Sequence, residues 1–119
     1  MDARYDPENV FARILRGEIP SDRVYEDADF VAFRDIQPAA PVHIVLVPRG
    51  EPPTSPAALR EADAGWVGRM VLVASRIAAE QRLAGRGYRL VVNCGDDAGQ
   101  TVGHLHLHIL GGRPLGPVA

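Results

Sequence analysis

The seven residues 104–110 read HLHLHIL, a strict alternation of imidazole and aliphatic side chains. Residues two apart in a β-strand lie on the same face, so this alternation predicts a strand over the whole stretch. One face of that strand is aliphatic and is expected to lie in the core: Leu105, Leu107 and Ile109. The opposite face carries three imidazoles in a row, His104, His106 and His108, and is therefore a candidate functional site.

The segments before this strand predict a short helix followed by a hairpin and a buried strand. Asp6 is expected to cap the helix with Pro7 in its first position, and Gly17 is expected to end it. Short strands are expected at residues 24–26 and 30–34, joined by a turn at residues 27–29. The nearly continuous apolar run at residues 42–47 predicts a central strand, which includes the fourth histidine, His43.

A helical pattern then covers residues 62–83, where apolar residues recur every three or four positions. A further strand is expected at residues 88–94. This order predicts an α+β fold with the helices on one face of a mostly antiparallel sheet. The 119 residues show no composition break, so we expect a single domain spanning 1–119, with its core at about 8–113 and a short flexible tail at 114–119.

Composition excludes several classes of protein. All 13 basic residues are arginine, so chemistry that depends on lysine is excluded, including Schiff bases and the phosphate-binding P-loop. The net charge of -2 and the scattered arginines argue against a nucleic-acid partner. No apolar run approaches the ~20 residues of a membrane span.

The single cysteine, Cys94, and an N-terminus without the plan of a signal peptide favour a reducing, cytoplasmic location. We expect Cys94 to be a small packing residue.

The histidine strand admits three interpretations. The imidazoles could be ordinary surface residues, although an exposed strand face normally mixes several polar types. A His-x-His pair together with His43 could bind zinc, but His104 and His108 would start about 13 Å apart on an extended strand, too far to share one ion. The third interpretation is metal-free phosphoryl transfer, in which the middle neutral imidazole attacks phosphorus and its neighbours orient it and move a proton.

These residues resemble the histidine-triad (HIT) superfamily, and within it the branch of histidine-triad nucleotide-binding proteins. The resemblance runs from about Val10 to Arg113. Beyond the triad it rests on several ordered motifs: Ile19-Pro20, Phe33-Arg34-Asp35-Ile36, Ala40-Pro41-Val42-His43, Val92-Asn93, Gly99-Gln100-Thr101-Val102 and Gly111-Gly112-Arg113. The resemblance implies a HIT-like fold with a sheet of about five antiparallel strands, one long and one short helix, and sheets joined across a homodimer.

The resemblance also implies an activity, that of a metal-independent purine nucleoside phosphoramidase and adenylyl hydrolase. Such an enzyme cleaves a phosphorus–nitrogen or phosphoanhydride bond through a nucleotidyl-histidine intermediate and releases a purine nucleoside monophosphate. His106 would be the nucleophile, His108 would contact phosphate and take part in proton transfer, and His104 and His43 would support them. Asp35 would bind the ribose hydroxyls. The remaining nucleotide contacts would come from the phosphate side and the base pocket: Asn93, Gly99, Gln100, Thr101, Phe11, Phe33, Ile36 and Val45. The histidine at position 108, where the transferase branch has glutamine, favours hydrolysis because glutamine cannot relay a proton.

The expected partners are purine nucleoside monophosphate derivatives, namely AMP, GMP and adenosine phosphoramidates, together with a second copy of the chain. No cofactor, metal, nucleic acid or membrane is expected. Trp66, Val67, Met70 and Val71 give the long helix more apolar width than one sheet face needs, which suits a homodimer. Two alternatives remain open: a nucleotide-binding homodimeric scaffold with little turnover, and a zinc-dependent His-x-His hydrolase.

Overall fold

The computed structural model describes residues 4–119, which form two helices, five strands and three short 3-10 turns. The helices and strands, in chain order, are α1 (Val10–Leu15), β1 (Arg23–Glu26), β2 (Phe30–Arg34), β3 (Val42–Pro48), α2 (Ala64–Glu80), β4 (Tyr88–Val91) and β5 (Leu107–Gly111). The strands make one sheet in the order β1-β2-β3-β5-β4, and every neighbouring pair is antiparallel. The apolar run of β3 occupies the central position, as its sequence predicts.

The two helices cover opposite faces of this sheet, so the expectation of helices on one face is wrong. Met70, Val73 and Ile77 of α2 pack on Ile44 and Leu46, together with the aliphatic residues of the histidine segment, Leu105, Leu107 and Ile109. The alternate residues of β2 and β3 face the other way and pack against α1: Val31, Phe33, Val45 and Val47 around Ile14. α1 is short and only partly apolar, and its sequence carries no signal for which face it covers.

The last strand begins later than its alternating pattern predicts. β5 starts at Leu107, whereas His104 and His106 lie in irregular chain before it. The reason is a competing set of hydrogen bonds: the Leu105 N–H donates to the Pro53 carbonyl oxygen at 3.0 Å. The His104 ring is bonded to the carbonyl oxygen of Pro48, at the end of β3. β4 is shorter than expected for the same reason, because β5 offers no partner beyond the Val91–His108 pair.

The helix boundaries also differ from expectation at their starts. Asn9 caps α1 by accepting a hydrogen bond from the Ala12 N–H at 2.9 Å, whereas Asp6 holds a preceding turn through the Glu8 N–H. In α2 the regular helix begins at Ala64, after a 3-10 turn at Glu61–Asp63. It ends before Arg82, which has a positive φ of 63°. The hairpin between β1 and β2 is confirmed.

Three further observations concern the surface and the tail. Within the described residues, no helix is both long and apolar enough to cross a membrane. Cys94 is exposed, with its Sγ 3.6 Å from Ser55 Oγ, so its expected role as a packing residue is wrong. The tail after Arg113 has no regular structure, and Arg89 donates a 2.7 Å hydrogen bond to the carbonyl oxygen of Gly116.

Candidate active site

A cavity of about 430 Å³ lies on the α1 face of the sheet, beside the histidines. Its volume is within the range of sites that bind small organic ligands. Most of the residues singled out from the sequence line it: Phe11, Phe33, Asp35, Ile36, Val45, Asn93, Gly99, Thr101, His106 and His108. Positions more than ninety residues apart in the chain therefore meet around one space.

A larger cavity, of about 630 Å³, lies against α2 and the loop that follows β3. Its polar groups include Trp66 and Asp63, which are already hydrogen-bonded to each other at 2.9 Å. No histidine or cysteine lines it, so it holds no nucleophile of the kind the histidine cavity offers. We therefore take the smaller cavity as the candidate site.

Hydrogen bonding holds His106 in the tautomer that leaves a lone pair on Nε2. Its Nδ1 lies 2.7 Å from the backbone carbonyl oxygen of His104, and a carbonyl only accepts, so the Nδ1 carries the proton and donates. The Nε2 then holds a free lone pair, and it has no hydrogen-bond partner within residues 4–119. Burial lowers the pKa of His106, with the bond to His104 acting in the opposite direction, so the ring is neutral at pH 7. A neutral imidazole with a free lone pair is ready to attack.

His104 does not line the cavity. Its side chain is fully buried, and its Nε2 lies 2.8 Å from the Pro48 carbonyl oxygen, so Nε2–H is the donor. Burial lowers the pKa of His104 to about 4, despite the bond to Pro48, which favours the charged form. His104 is therefore a neutral anchor, and it orients His106 through its backbone carbonyl.

His43 and His108 form a chain of hydrogen bonds with a fixed direction. The Ala39 N–H donates to His43 Nδ1 at 3.0 Å, so His43 carries its proton on Nε2. That Nε2–H donates to His108 Nδ1 at 2.9 Å. The neutral His108 must then carry its own proton on Nε2, the nitrogen left free for a ligand. Burial, followed by repulsion from His106 and His43, lowers the pKa of His108 to about 4.

The same hydrogen bonds bear on metal binding. Asp35, His43 and His108 bring one ligand atom each within 4.8 Å of one another, close enough for a shared ion. A metal needs a lone pair from each imidazole, but the Nε2 of His43 carries a proton because its Nδ1 accepts from Ala39. Moving that proton to Nδ1 would set two N–H groups against each other. The donor set therefore does not suit a metal in this arrangement.

Asp35 has both a local and a cavity role. Its Oδ1 accepts a hydrogen bond from the Gln37 N–H at 2.8 Å, which is a turn within its own loop. Its Oδ2 lies 3.5 Å from His43 Nε2, and the carboxylate also lines the cavity. The negative charge opposes the effect of burial on His43, whose pKa is nevertheless lowered. One oxygen thus fixes the loop and the other is available to a ligand or to His43.

The loop before the histidines supplies polar groups to the cavity. Asn93 is half-buried at the cavity, and its side-chain amide makes no hydrogen bond to the rest of the described chain. Gly99 has a φ of 82°, which favours glycine, and it lines the cavity with Thr101. Gln100 is buried and does not line it. Its amide braces the loop by donating to the carbonyl oxygens of Thr54 and Val102 and accepting from the Gly95 N–H.

Apolar side chains line another side of the cavity. The Phe11 ring meets the His106 ring edge to face, with centroids 4.8 Å apart, and lies 5.6 Å from Phe33. Val45 is buried behind them, whereas Ile36 is 92% exposed at the rim. An exposed isoleucine at the mouth of a cavity offers a surface on which a flat apolar group could pack.

Sequence reasoning missed several residues of the lining. Val10 and Ile14 lie one helical turn from each other and share the face that carries Phe11, so the helical spacing of α1 held the signal for them. Ile19 and Pro20 form a motif quoted above, but nothing in their types indicates contact with a ligand. The other lining residues without a distinct signal are Ser21, Arg34, Gln37 and Val102.

The sheet order and the histidine cluster define an α+β domain of the histidine-triad type. Comparison with known proteins agrees: the model of the HIT domain family matches residues 16–115. The chain belongs to the HIT family.

Similar proteins cover nearly the whole chain. The purine nucleoside phosphoramidase of Escherichia coli is 48% identical over 111 residues, which is 93% of this chain and 92% of that protein. A HIT family hydrolase from Clostridium thermocellum is 41% identical with a TM-score of 0.87, covering 92% of this chain and 95% of that one. A histidine triad protein from Clostridium difficile has a TM-score of 0.89 at 38% identity, covering 98% and 100%. These likenesses support a hydrolase.

Proposed function

We propose that the protein is a metal-independent purine nucleotide hydrolase, specifically a nucleoside phosphoramidase that releases a nucleoside monophosphate through a nucleotidyl-histidine intermediate. The observation that carries the proposal is the pair of tautomers in the cavity. His106 presents a lone pair on Nε2, and His108 presents a proton on Nε2. Their ring centroids are 5.0 Å apart, so one phosphate group can meet both.

The reaction follows from these two nitrogens. In the first step the Nε2 lone pair of His106 bonds to the α-phosphorus, and the P–N bond breaks with its electron pair going to nitrogen. The nitrogen takes a proton through the Nε2–H of His108, which solvent replaces, and leaves as the neutral amine. In the second step water attacks phosphorus and loses a proton to solvent, and the bond between phosphorus and His106 Nε2 breaks with its electron pair returning to His106.

The rest of the cavity suits a nucleoside monophosphate. Positive charge develops on His106 during attack, and the His104 carbonyl that accepts from its Nδ1–H stabilises that charge. Asn93 lines the cavity, and its free amide would donate to phosphate. Asp35 offers a carboxylate oxygen to ribose hydroxyls, and the aromatic wall formed by Phe11 and Phe33 suits a purine. The name of the Escherichia coli relative points to the same substrate class.

A turnover assay tests the proposal. The wild-type protein should release AMP from adenosine 5′-phosphoramidate, and a GMP-linked amine measures the base preference. His106→Ala should lower kcat by at least about a thousand-fold while AMP binding, measured by calorimetry, is retained. An acid quench within one turnover should trap nucleotide on the wild-type protein, and His108→Gln should slow the departure of the amine. Undiminished turnover in His106→Ala would contradict the assignment.

The two alternatives give different results in the same assay. A scaffold would bind AMP with the wild-type cavity but release no product from any amine-linked nucleotide. A zinc-dependent hydrolase would lose its activity on chelation and regain it with added zinc, whereas we expect chelation to have no effect.

We also propose a homodimer in the cytoplasm. β4 is an edge strand of the sheet, and Val71 and Leu72 of α2 are 44% and 60% exposed. An open strand edge and apolar helix residues are the surfaces that a second copy would cover. Of the residues singled out on this helix, Met70 is buried in the core, and Trp66 packs partly against it, so they contribute less to an open face than their spacing indicates. A cytoplasmic location is consistent with a single exposed cysteine.

A further inference from the structure

The N-terminal segment before α1 contacts the histidine cluster through one tyrosine. The Oη of Tyr5 lies 2.8 Å from Nδ1 of His104, and the two rings contact each other with centroids 5.6 Å apart. Tyr5 does not line the catalytic cavity, and nothing in the reaction described above requires it. It nevertheless contacts the ring whose backbone carbonyl orients the nucleophile.

The hydrogen bond at the other nitrogen of the His104 ring, Nε2, fixes the direction of this one. His104 donates its Nε2–H to Pro48, so the Nδ1 of neutral His104 has a lone pair and no proton. The Tyr5 hydroxyl must therefore donate its one proton to Nδ1 at 2.8 Å, since the Gly50 carbonyl oxygen is farther away, at 3.4 Å. A hydrogen bond donated into Nδ1 stabilises the neutral ring in this tautomer, and protonation of Nδ1 would reverse its direction.

A neutral His104 favours the reaction at His106. When His106 attacks phosphorus its ring becomes cationic, and His104 and His106 repel each other when both are charged, as the effect of His106 on the His104 pKa shows. A proton on His104 would oppose the charge that the attack creates. The ring is anchored at both nitrogens, by Pro48 and by Tyr5, and this anchoring holds the residue whose carbonyl oxygen accepts from His106.

We infer that Tyr5 is a positioning residue, which holds His104 in its neutral Nε2–H tautomer and so keeps the carbonyl of His104 aligned on His106 Nδ1. The effect on catalysis rests on the proposed function, whereas the effect on the His104 ring does not. A cavity of about 340 Å³ is also lined by Tyr5, on the side of Gly50 and Arg16. Because the Tyr5 ring touches both this cavity and His104, removing the ring is expected to let water reach the imidazole.

Two substitutions separate the hydroxyl from the ring. Tyr5→Phe removes the donor and keeps the ring, and Tyr5→Ala removes both. Tyr25→Phe is the matched control, because Tyr25 also donates a side-chain hydrogen bond, to Asp27 on the β1–β2 hairpin, far from the histidines in the fold. Thermal melting confirms that each variant is folded before the other measurements.

Nitrogen-15 NMR of the histidine rings reads the tautomer and pKa of His104 directly. We expect Tyr5→Phe to shift the Nδ1 resonance of the neutral ring, because its lone pair loses the donated hydrogen bond. Tyr5→Ala should also raise the pKa of His104, because burial is the main cause of its low value and water would reach the ring. Tyr25→Phe should change neither. An unaltered His104 spectrum in Tyr5→Phe would overturn the inference.

Turnover of adenosine 5′-phosphoramidate then tests the consequence. We expect Tyr5→Phe to lower kcat by roughly ten-fold with KM changed less than about two-fold. A changed His104 spectrum with kcat equal to that of Tyr25→Phe would overturn the positioning role. A wild-type protein without turnover would reject the proposed function instead, and the NMR result would still decide what Tyr5 does to His104.

Discussion

Lowering the pH from 7 to 5 should destabilise this protein through His104. The ring is fully buried and its pKa is lowered to about 4, whereas an unfolded histidine titrates near 6.5. The unfolded state therefore binds more protons than the folded state between these two values. It follows that the stabilisation is fully present above pH 6.5 and is lost as the pH falls toward 4.

The magnitude follows from the two pKa values. At pH 5 the unfolded ring is almost fully protonated, and the folded ring is protonated in about one molecule in ten. The free energy of unfolding should then be lower at pH 5 than at pH 7 by about 2 kcal/mol from this one residue. The pKa values of His43, His106 and His108 are also lowered, so they add losses of the same sign.

A comparison with a variant that cannot titrate isolates the contribution of His104. Urea denaturation of the wild type and of His104→Gln is measured at pH 7 and pH 5, at one protein concentration. Glutamine keeps an amide donor for Pro48 but binds no proton, and the other three histidines contribute to both proteins. The wild type should lose about 2 kcal/mol more than the variant between the two pH values. Equal losses would refute the reasoning, whatever the absolute stabilities.

Two further predictions concern the glycine after β5 and the assembly. Gly112 has a φ of 95°, and a Cβ at this position would lie 2.9 Å from the Cβ of Pro41. We therefore expect Gly112→Ala to lower the free energy of unfolding by at least about 2 kcal/mol, as measured by urea denaturation. Gly116→Ala is its control, because Gly116 has a similar φ of 78° with open space around it, and an equal loss would contradict the role of the contact. For the assembly, light scattering should give twice the chain mass, and Leu72→Glu should shift the mass toward the monomer because a charge would enter the interface. A monomeric wild type at high concentration would rule the dimer out.

The sequence predicted the elements better than their ends. The spacing of apolar residues in α2 and the continuous apolar run of β3 identify both elements, because each pattern reflects a face buried against the sheet. The predicted start of β5 was wrong. An alternating pattern indicates which side chains are buried, but it does not show whether the backbone forms hydrogen bonds with a neighbouring strand. Leu105 is as buried as Leu107, yet its N–H bonds to a loop.

The sequence indicated which residues belong to the candidate site, but not how they are arranged and hydrogen-bonded. The sequence suggested one site for the four histidines and Asp35, and the structure puts Asp35, His106 and His108 on the cavity. His43 and His104 do not line it: His43 is hydrogen-bonded to His108, and the His104 carbonyl accepts from His106. Which nitrogen of each ring carries the proton depends on the carbonyl and N–H groups around it, contributed by chain segments distant from each ring. The contact of Tyr5 with His104 spans ninety-nine positions, and no local pattern encodes it.

The early departure of the histidine segment from the sheet has a consequence for protein engineering. In a continuous ladder a strand carbonyl often accepts from the neighbouring strand, whereas here the carbonyl of His104 accepts from a side chain two residues further on. Grafting the alternating histidines onto an unbroken strand of another scaffold would reproduce the spacing of the imidazoles without that acceptor. A designer who wants an imidazole held in this tautomer must therefore copy the point at which pairing stops as well as the residues themselves.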